Sequence, residues 1–159
     1  MRNRPIVAGI LILTTCASVT AAAAEPGPFV AEWHWNKAES TSAAGEAMPR
    51  EMVLNITSAD PAHVVWTLTA VDDKGVRRVQ SFTGAGDGKP VPIAGSTDGS
   101  TTAFTVTAAK LDSVSASPDG STDRSSCSLS VDRKKMTCRG TESDGKGHSA
   151  TYVDVYDRK

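Results

Sequence analysis

The alternation of apolar and polar positions along this chain predicts strands rather than helices. From residue 29 onward, short runs rich in Val, Thr, Ile and aromatic residues alternate apolar with polar side chains, as half-buried strands do. Only residues 37–47 are compatible with a helical turn or two. The pattern predicts ten strands, near residues 29–36, 50–57, 63–71, 76–83, 89–93, 102–108, 111–116, 125–131, 134–141 and 149–157.

Turn signals recur between these strands. Asp-Gly pairs suit tight turns because glycine takes positive φ without steric cost. The signals are Asp72-Asp73-Lys74-Gly75, Asp87-Gly88, Asp98-Gly99, Asp119-Gly120, Asp132-Arg133 and Asp144-Gly145. Short sequential strands form a meander, and closure protects its edges. We therefore expect an all-β, antiparallel up-and-down meander closed into a small barrel, with an immunoglobulin-like sandwich as the alternative.

The apolar positions also predict a core. Phe29, Ala31, Trp33 and Trp35 share one face of the first strand. Further candidates are Met52, Leu54, Ile56, Val64, Trp66, Leu68, Ala70, Phe104, Val106 and Ala108. Trp33 and Trp35 are alternatively a ligand platform. Because the chain is poor in large apolar residues and rich in Ser, Thr and Ala, the barrel interior is either tightly filled or a cavity with polar walls.

The first 24 residues are typical of an export signal. Arg2 and Arg4 precede the apolar run 6–13, which is too short to span a membrane, for which about 20 residues are needed. Residues 22–24 then offer a small-residue cleavage site. We expect cleavage before Glu25, leaving a single β-barrel domain over residues 25–159 that is periplasmic or secreted. The alternative is lipoprotein anchoring at Cys16, although Thr15 fits a lipoprotein signal poorly.

The charge balance narrows the classes of partner. The chain carries 17 basic and 18 acidic residues, and loss of the two leader arginines lowers the formal charge from −1 to −3. The charges are interspersed, so nothing indicates a nucleic-acid surface, a basic membrane-binding helix or a stable membrane span.

Cys127 and Cys138 are the cysteines that remain after removal of the leader. A two-residue turn at Asp132-Arg133 would pair Val131 with Lys134 and Cys127 with Cys138, at a hydrogen-bonded position of the ladder. We expect a structural disulfide, as exported proteins can keep. A redox-active pair is the alternative, but the spacing is not C-x-x-C.

Motifs for catalysis, metals and cofactors are weak. The loop 84–89 lacks the spacing of a phosphate-binding loop, so a hairpin turn is the better interpretation. His34, His63 and His148 fall on separate predicted elements, and no G-x-S-x-G elbow or EF-hand loop occurs. We predict no catalytic residue, no metal ligand and no cofactor.

Four blocks resemble small exported bacterial proteins of unknown function that are described as lipocalin-like. They are the residues 33–40 (WHWNKAES), 86–93 (GDGKPVPI), 130–137 (SVDRKKMT), and 144–146 (DGK) with 155–158 (VYDR). Ala31, Trp35 and Arg133 depart from the Gly, Leu and turn Gly of that pattern. The resemblance implies a calycin-like antiparallel barrel and no enzymatic reaction. By analogy, Trp33 would close the barrel floor and Arg158 would pack over it.

Three functions compete at this stage. The first is a non-enzymatic binding module for a small apolar or amphipathic ligand. The second is a protein-binding module, such as an inhibitor of an exported hydrolase. The third, an enzyme, lacks a visible acid–base or nucleophile pair. An interior cavity of several hundred Å3 favours the first function, whereas a filled barrel with an exposed apolar loop patch favours the second.

Overall fold

The computed structural model describes residues 27–43 and 47–159. The expected export signal over residues 1–24, the cleavage before Glu25 and the alternative anchor Cys16 all lie outside these residues. The described part of the chain is the expected all-β meander.

Ten strands form one antiparallel sheet, and they follow the sheet in chain order. The strand order is β4-β3-β2-β1-β10-β9-β8-β7-β6-β5. The bounds are β1 Ala31–Trp35, β2 Glu51–Ala59, β3 Val64–Val71, β4 Arg77–Gly84, β5 Val91–Pro92, β6 Thr101–Val106, β7 Lys110–Ala116, β8 Thr122–Leu129, β9 Lys135–Ser143 and β10 Ser149–Arg158. Strands that are consecutive in the chain are neighbours in the sheet, except β4 and β5 at its two edges, and β1 pairs with β10, which brings the first and last strands together. The predicted up-and-down barrel is confirmed.

The two outer strands of the sheet meet at a seam between β4 and β5. Ser81 and Ala94, the second residue after β5, exchange two backbone hydrogen bonds of 2.9 Å each. β5 itself is only two residues long, Val91–Pro92, where a strand over 89–93 was predicted. Proline lacks an N–H, so it shortens the ladder here. The barrel is therefore nearly, rather than fully, closed.

The inner face of the barrel contains most of the predicted core. Phe29, Trp33 and Val64 have no exposed surface, and Ile56 is 1% exposed. The buried cluster also includes Trp66, Phe104 and Val106, together with residues not predicted: Phe82, Leu111, Met136 and Tyr156. The prediction for Ala108 is wrong, because this residue is exposed in the turn after β6.

Trp33 and Arg158 close one end of the barrel. The two residues are cross-strand partners on β1 and β10, and the Arg158 guanidinium carbon lies 5.1 Å from the centroid of the Trp33 ring. Arg158 also donates to the carbonyls of Pro28 at 3.1 Å and Val30 at 2.8 Å, while Trp33 Nε1 donates to the Phe29 carbonyl at 2.9 Å. The segment before β1 is thereby held across this end, the barrel floor.

The chain leaving β1 is fastened to β10 by Asn36 and Ser40. Ser40 Oγ donates to the Asn36 carbonyl at 2.8 Å and accepts the Val155 N–H at 3.0 Å. Asn36 Nδ2 donates to Asp157 at 2.8 Å and to Glu39 at 3.2 Å. These contacts require a turn at 37–39, so no described residue of the 37–47 segment is helical.

The connection between β8 and β9 differs from the predicted two-residue turn. The Ser130 N–H donates to the Lys135 carbonyl and the Arg133 N–H to the Ser130 carbonyl, both at 2.9 Å, so the loop is the four residues 131–134. Val131 and Lys134 are consequently not a ladder pair. Within the described ranges, Arg133 is the only residue other than glycine with positive φ, at 57°.

The longer turn keeps the cysteines opposite each other but changes their position in the ladder. Cys127 pairs with Cys138, and a disulfide of 2.05 Å joins them, as predicted. Because Ser130 and Lys135 form a hydrogen-bonded pair, the cysteines three residues away form a non-hydrogen-bonded one. The predicted hydrogen-bonded position is therefore wrong. The short Cα–Cα distance of 3.9 Å fits the closer pair type.

Strand β8 also begins earlier than predicted, at Thr122 instead of residue 125, and ends at Leu129. Its first residues, Thr122, Asp123 and Arg124, show no apolar alternation. Hydrophobic patterning fails here because the inward positions of this part of β8 are polar.

We predict that Trp33→Ala lowers the free energy of unfolding by roughly 3–5 kcal/mol, because a large core side chain is lost. Arg158→Ala should cost roughly 1–3 kcal/mol, through its ring contact and its two carbonyl bonds. The two effects should be non-additive because the residues share a contact. Urea melts of both single variants and the double variant measure this, with the exposed Arg139→Ala as an additive control. Strict additivity of Trp33→Ala and Arg158→Ala would contradict the floor assignment.

We also predict that replacing Cys127 and Cys138 together by Ala lowers the free energy of unfolding by about 2–3 kcal/mol, since the short closed loop restricts the unfolded chain. The circular dichroism spectrum should stay that of the β-barrel. Alkylation of the denatured parent protein without reductant should label neither cysteine. Two labelled thiols in protein from an oxidising compartment would be the opposite result.

Candidate functional site

The barrel encloses a cavity of about 370 Å3 above the floor. Residues from almost every strand line it, because alternate side chains of each strand point inward. The lining residues are Trp35, Ser42, Ala43, Ala47, Pro49, Met52, Leu54, Ile56, Trp66, Leu68, Gln80, Ile93, Thr102, Phe104, Leu111, Ser113, Ser115, Asp123, Ser125, Cys127, Cys138, Glu142, Tyr152, Asp154 and Tyr156.

One part of this wall is apolar and built around aromatic rings. Trp66 stacks on Phe82 at 6.1 Å and meets Phe104 edge-on at 6.2 Å. Phe82 and Phe104 lie 4.9 Å apart. Such aromatic packing holds the rings in defined orientations, and it gives the cavity a rigid apolar surface formed by β3, β4 and β6.

The opposite part of the wall is polar and lies on β8, β9 and β10. Trp35 Nε1 donates to Asp154 Oδ1 at 2.7 Å, and the Tyr152 hydroxyl donates to Asp123 Oδ1 at 2.9 Å. Ser113 and Ser125 share a hydrogen bond of 2.9 Å across β7 and β8. Each bond orients a side chain whose polar atoms face the barrel interior.

Gly140 makes room for Tyr152. The two residues are cross-strand partners on β9 and β10, and a Cβ built on Gly140 would lie 2.0 Å from Cζ of the Tyr152 ring. Any side chain at position 140 would therefore displace the ring. Gly140 lets Tyr152 lie flat across β9 and reach Asp123 on β8.

The electrostatics of this wall are acidic. Asp123, Glu142 and Asp154 all line the cavity, whereas none of the described lining residues is Lys, Arg or His. Burial raises the pKa of Asp154 above the usual carboxyl range, the hydrogen bond from Trp35 opposes the rise, and Asp123 adds to it. Burial and the neighbouring aspartates also raise the pKa of Tyr152, so its hydroxyl stays protonated.

Trp66 contributes an unusual polar atom to the apolar wall. The residue is 9% exposed, and its Nε1 is buried without a hydrogen-bond partner among the described residues. Buried donors nearly always have a partner, so this one is an exception among the described residues.

An outer cavity of about 650 Å3 lies at the end of the barrel away from Trp33. It shares Ala43, Ser115, Asp123 and Glu142 with the inner cavity. The remaining wall comes from the β7–β8 and β9–β10 connections and the strand ends beside them: Ser117, Asp119, Ser121, Thr122, Ser143, Asp144, Lys146, His148, Ser149 and Ala150. Most of these residues are half-buried or exposed, so the inner cavity is reached from solvent here, at the barrel mouth.

Two aspartates at the mouth are held in the charged form. Hydrogen bonds from Ser121 lower the pKa of Asp119. A hydrogen bond from His148, whose Nδ1 lies 2.7 Å from Asp144 Oδ2, lowers the pKa of Asp144, as does the Lys146 N–H. The mouth therefore carries negative charge at neutral pH.

The sequence-predicted residues occupy three places. Trp33 and Arg158 form the floor, Cys127 and Cys138 lie in the wall, and Trp35 and Trp66 line the cavity. Sequence reasoning missed the polar wall. A signal existed, because counting back by twos from an inward Cys127 reaches Ser125 and Asp123 on the same face.

The other sequence motifs have structural roles. The amides of the glycine-rich loop 84–89 are used within the chain: Gly86 donates to the Pro61 carbonyl at 3.1 Å and Gly88 to that of Phe104 at 2.8 Å. The histidines serve separate places: His34 on β1 pairs with Glu32 at 2.6 Å, whereas His148 lies at the barrel mouth. Across residues 27–43 and 47–159, no group of three or more His, Cys, Asp and Glu side chains could hold a metal ion.

The fold and the site together define a small antiparallel β-barrel with an accessible, partly acidic interior cavity. Compared with models of known protein families, the chain matches none. A comparison with curated proteins likewise finds no significant match. In the described part of the chain, no helix has the length and apolar character needed to cross a bilayer.

We predict that Asp154→Asn makes the protein more stable than the parent at neutral pH. The raised pKa means that the folded state holds a proton more tightly than the unfolded chain, so the carboxylate lowers stability above that pKa. Asn keeps an oxygen that accepts from Trp35. The difference from the parent should shrink as pH falls through the raised pKa, and its pH-dependent part should be gone below the ordinary carboxyl pKa, about 3.9.

Urea melts at several pH values measure this effect. Asp72→Asn is the control, because it should change the free energy of unfolding in the opposite direction at neutral pH. Hydrogen bonds from Val76 and Lys74 lower the pKa of the half-buried Asp72, so its contribution is stabilising at neutral pH and is lost as pH falls. An Asp154→Asn variant less stable than the parent at neutral pH would show that the buried carboxylate stabilises the barrel.

Proposed function

We propose that this protein is an exported, non-enzymatic binding module that holds a small apolar or amphipathic molecule inside its barrel. The interior cavity carries the proposal. Its volume of about 370 Å3 falls within the range of small-molecule sites, roughly 300–1,000 Å3. A barrel whose only role was structural would gain stability from filling that space.

The shape of the cavity supports a container rather than a channel. Trp33, Phe29 and Arg158 close the floor, while the mouth connects the inner cavity to solvent. The aromatic wall supplies apolar contact area, and the polar wall supplies a few oriented groups. This division is typical of pockets that bind a molecule by its apolar body and select it by its polar end.

The disulfide is compatible with export, because such bonds persist in oxidising compartments. Export itself rests on the leader pattern of residues 1–24, and a periplasmic or secreted location belongs to the proposal. So does membership of the exported lipocalin-like proteins that the chain resembles.

The competing role, binding of a protein such as an exported hydrolase, receives less support. Within the described residues, the large apolar side chains that are exposed are four valines: Val76, Val79, Val114 and Val131. They belong to the β3–β4 and β8–β9 connections and to the separate strands β4 and β7. A filled barrel with a continuous apolar loop patch would favour protein binding, and the structure has an interior cavity instead.

We predict that the neutral fluorescent probe N-phenyl-1-naphthylamine binds with one saturable site. Ser113→Phe places a ring into the cavity from β7 and should weaken the probe's affinity at least tenfold. Val114→Phe, the next residue on the outer face, is the matched control and should leave the affinity unchanged. Circular dichroism checks that both variants keep the fold.

Native mass spectrometry of protein purified from its own host provides a second, independent measurement, since a tightly held ligand would appear as added mass. Probe binding unaffected by Ser113→Phe, or no saturable binding at all, would contradict a ligand inside the barrel.

A further inference from the structure

We propose that the Tyr156 hydroxyl recognises the ligand of the interior cavity, and that this ligand is a neutral amphipathic molecule whose buried end carries a hydrogen-bond acceptor, such as a ketone, ester or ether oxygen. The inference rests on the proposed binding function and names the chemical class of the ligand. The acceptor would lie at Tyr156, near the floor, and the apolar body would lie toward the mouth, against the aromatic wall of β3, β4 and β6.

Tyr156 lies at the deep end of the cavity. Alternate residues of β10 point into the barrel, and in order from the mouth to the floor they are Ala150, Tyr152, Asp154, Tyr156 and Arg158. Tyr156 is therefore the last residue of β10 that lines the inner cavity before the floor begins. Its partners across the sheet are Trp35 on β1 and Met136 on β9, so its immediate neighbours are largely apolar.

The Tyr156 hydroxyl has no hydrogen-bond partner among the described residues. The side chain is 6% exposed, and the influences on its hydroxyl are burial and the charge of Asp154, without a hydrogen bond. In the described part of the chain, Trp66 Nε1 is the fully enclosed side-chain polar atom that lacks a partner. The Tyr156 hydroxyl, which is not fully enclosed, thus keeps its accessible surface, and this surface faces the cavity that the residue lines.

Tyr152 shows that an unpaired hydroxyl is not general to this wall. It lies on the same face of β10, and its hydroxyl donates to Asp123 Oδ1 at 2.9 Å. The indole N–H of Trp35, opposite Tyr156, is likewise used by Asp154. Two polar groups beside Tyr156 are therefore bonded within the protein, whereas the deepest hydroxyl is left for a molecule in the cavity.

The missing partner is an acceptor. Burial and the charge of Asp154 raise the pKa of Tyr156, so the hydroxyl stays protonated and can donate. A largely buried donor without a partner costs free energy, and a ligand oxygen placed beside it would remove that cost. A carbonyl or ether oxygen accepts a hydrogen bond without bringing a proton that needs a partner of its own.

The surroundings of the hydroxyl favour a neutral acceptor over a charged group. Asp154 is the next inward residue of β10 and is close enough to act on the Tyr156 hydroxyl. A ligand carboxylate at Tyr156 would place another negative charge beside Asp154 in a site of reduced dielectric. An ammonium group has no acceptor for the hydroxyl proton. An uncharged oxygen meets both requirements.

Three probes with one naphthalene body test the inference: 2-acetylnaphthalene, 2-isopropenylnaphthalene, in which a CH2 group replaces the carbonyl oxygen, and 2-naphthoate. Displacement of N-phenyl-1-naphthylamine at neutral pH measures their affinities. Tyr156→Phe should weaken the ketone about tenfold through loss of one buried hydrogen bond and leave the alkene unchanged. The change in the ketone-to-alkene ratio cancels the different hydrophobicities of the two probes. The carboxylate should bind most weakly to the parent.

Tyr152→Phe is the matched control, because it removes the same atom from the same face of β10 where Asp123 already accepts its proton. It should leave the ketone-to-alkene ratio unchanged. Gln80→Leu is a second control: Gln80 lines the cavity from β4, and its half-buried amide remains within reach of water. This variant should also keep the ratio.

Urea melts of the ligand-free variants give a readout that does not depend on binding. Tyr156→Phe should leave the urea midpoint unchanged or raise it, because no hydrogen bond within the protein is lost. Tyr152→Phe should lower the midpoint, because it removes the bond to Asp123. Cooperative melts also show that both variants fold.

Infrared spectroscopy of the bound ketone, labelled with 13C at its carbonyl, observes the contact directly. A hydrogen bond from Tyr156 lowers the carbonyl stretching frequency, so Tyr156→Phe should raise it and Tyr152→Phe should not.

The outcomes separate the two proposals. A ketone-to-alkene ratio that Tyr156→Phe leaves unchanged, as expected if water satisfies the hydroxyl in the loaded barrel, would overturn the role of Tyr156 and leave a binding barrel in place. An equal change of the ratio in Tyr152→Phe, or tightest binding of the carboxylate, would overturn it as well. Saturable binding of neither N-phenyl-1-naphthylamine nor any of the three probes would overturn the binding function itself.

Discussion

The contact of Arg158 with Trp33 and the backbone carbonyls before β1 holds the barrel together at its base. The guanidinium lies over the indole ring and donates to Pro28 and Val30, so one side chain ties the last strand to the entry of the first. This arrangement pairs β1 with β10, and that pairing turns a linear meander into a barrel. Arg158 is half-buried, and these carbonyls satisfy donors of its guanidinium that are turned away from solvent.

Polar side chains inside a barrel with a closed floor need hydrogen-bond partners within the protein. Three side-chain hydrogen bonds supply such partners: Trp35 to Asp154, Tyr152 to Asp123, and Ser113 to Ser125. Gly140 is part of the same arrangement, since its missing side chain is the space that the Tyr152 ring occupies. Within this wall, burial of the Asp154 carboxylate costs stability, and the Trp35 hydrogen bond offsets part of that cost.

Sequence patterning predicted the strands and the core wherever the inward side chains are apolar. Trp33 and Ile56 alternate with polar neighbours, and the structure buries them. The pattern failed at the start of β8, where Asp123 points inward and an apolar–polar rhythm is absent. A cavity wall made of Asp, Ser and Tyr resembles a solvent-facing surface in sequence, so the residues of the candidate site were the ones that hydrophobicity could not identify. Their placement needed the register set by Cys127 and Cys138.

The seam between β4 and β5 gives the barrel one weak side. A single bridge, Ser81 to Ala94, joins β4 to the chain after β5, whereas eight residue pairs hold β4 to β3. The exposed Arg77 and Arg78 place like charges on β4, which discourages a second chain from adding there. Local opening along this line breaks few hydrogen bonds and leaves β1, β9 and β10 intact. Such an opening would expose the interior through the side of the barrel, apart from the mouth, without unfolding the rest of the protein.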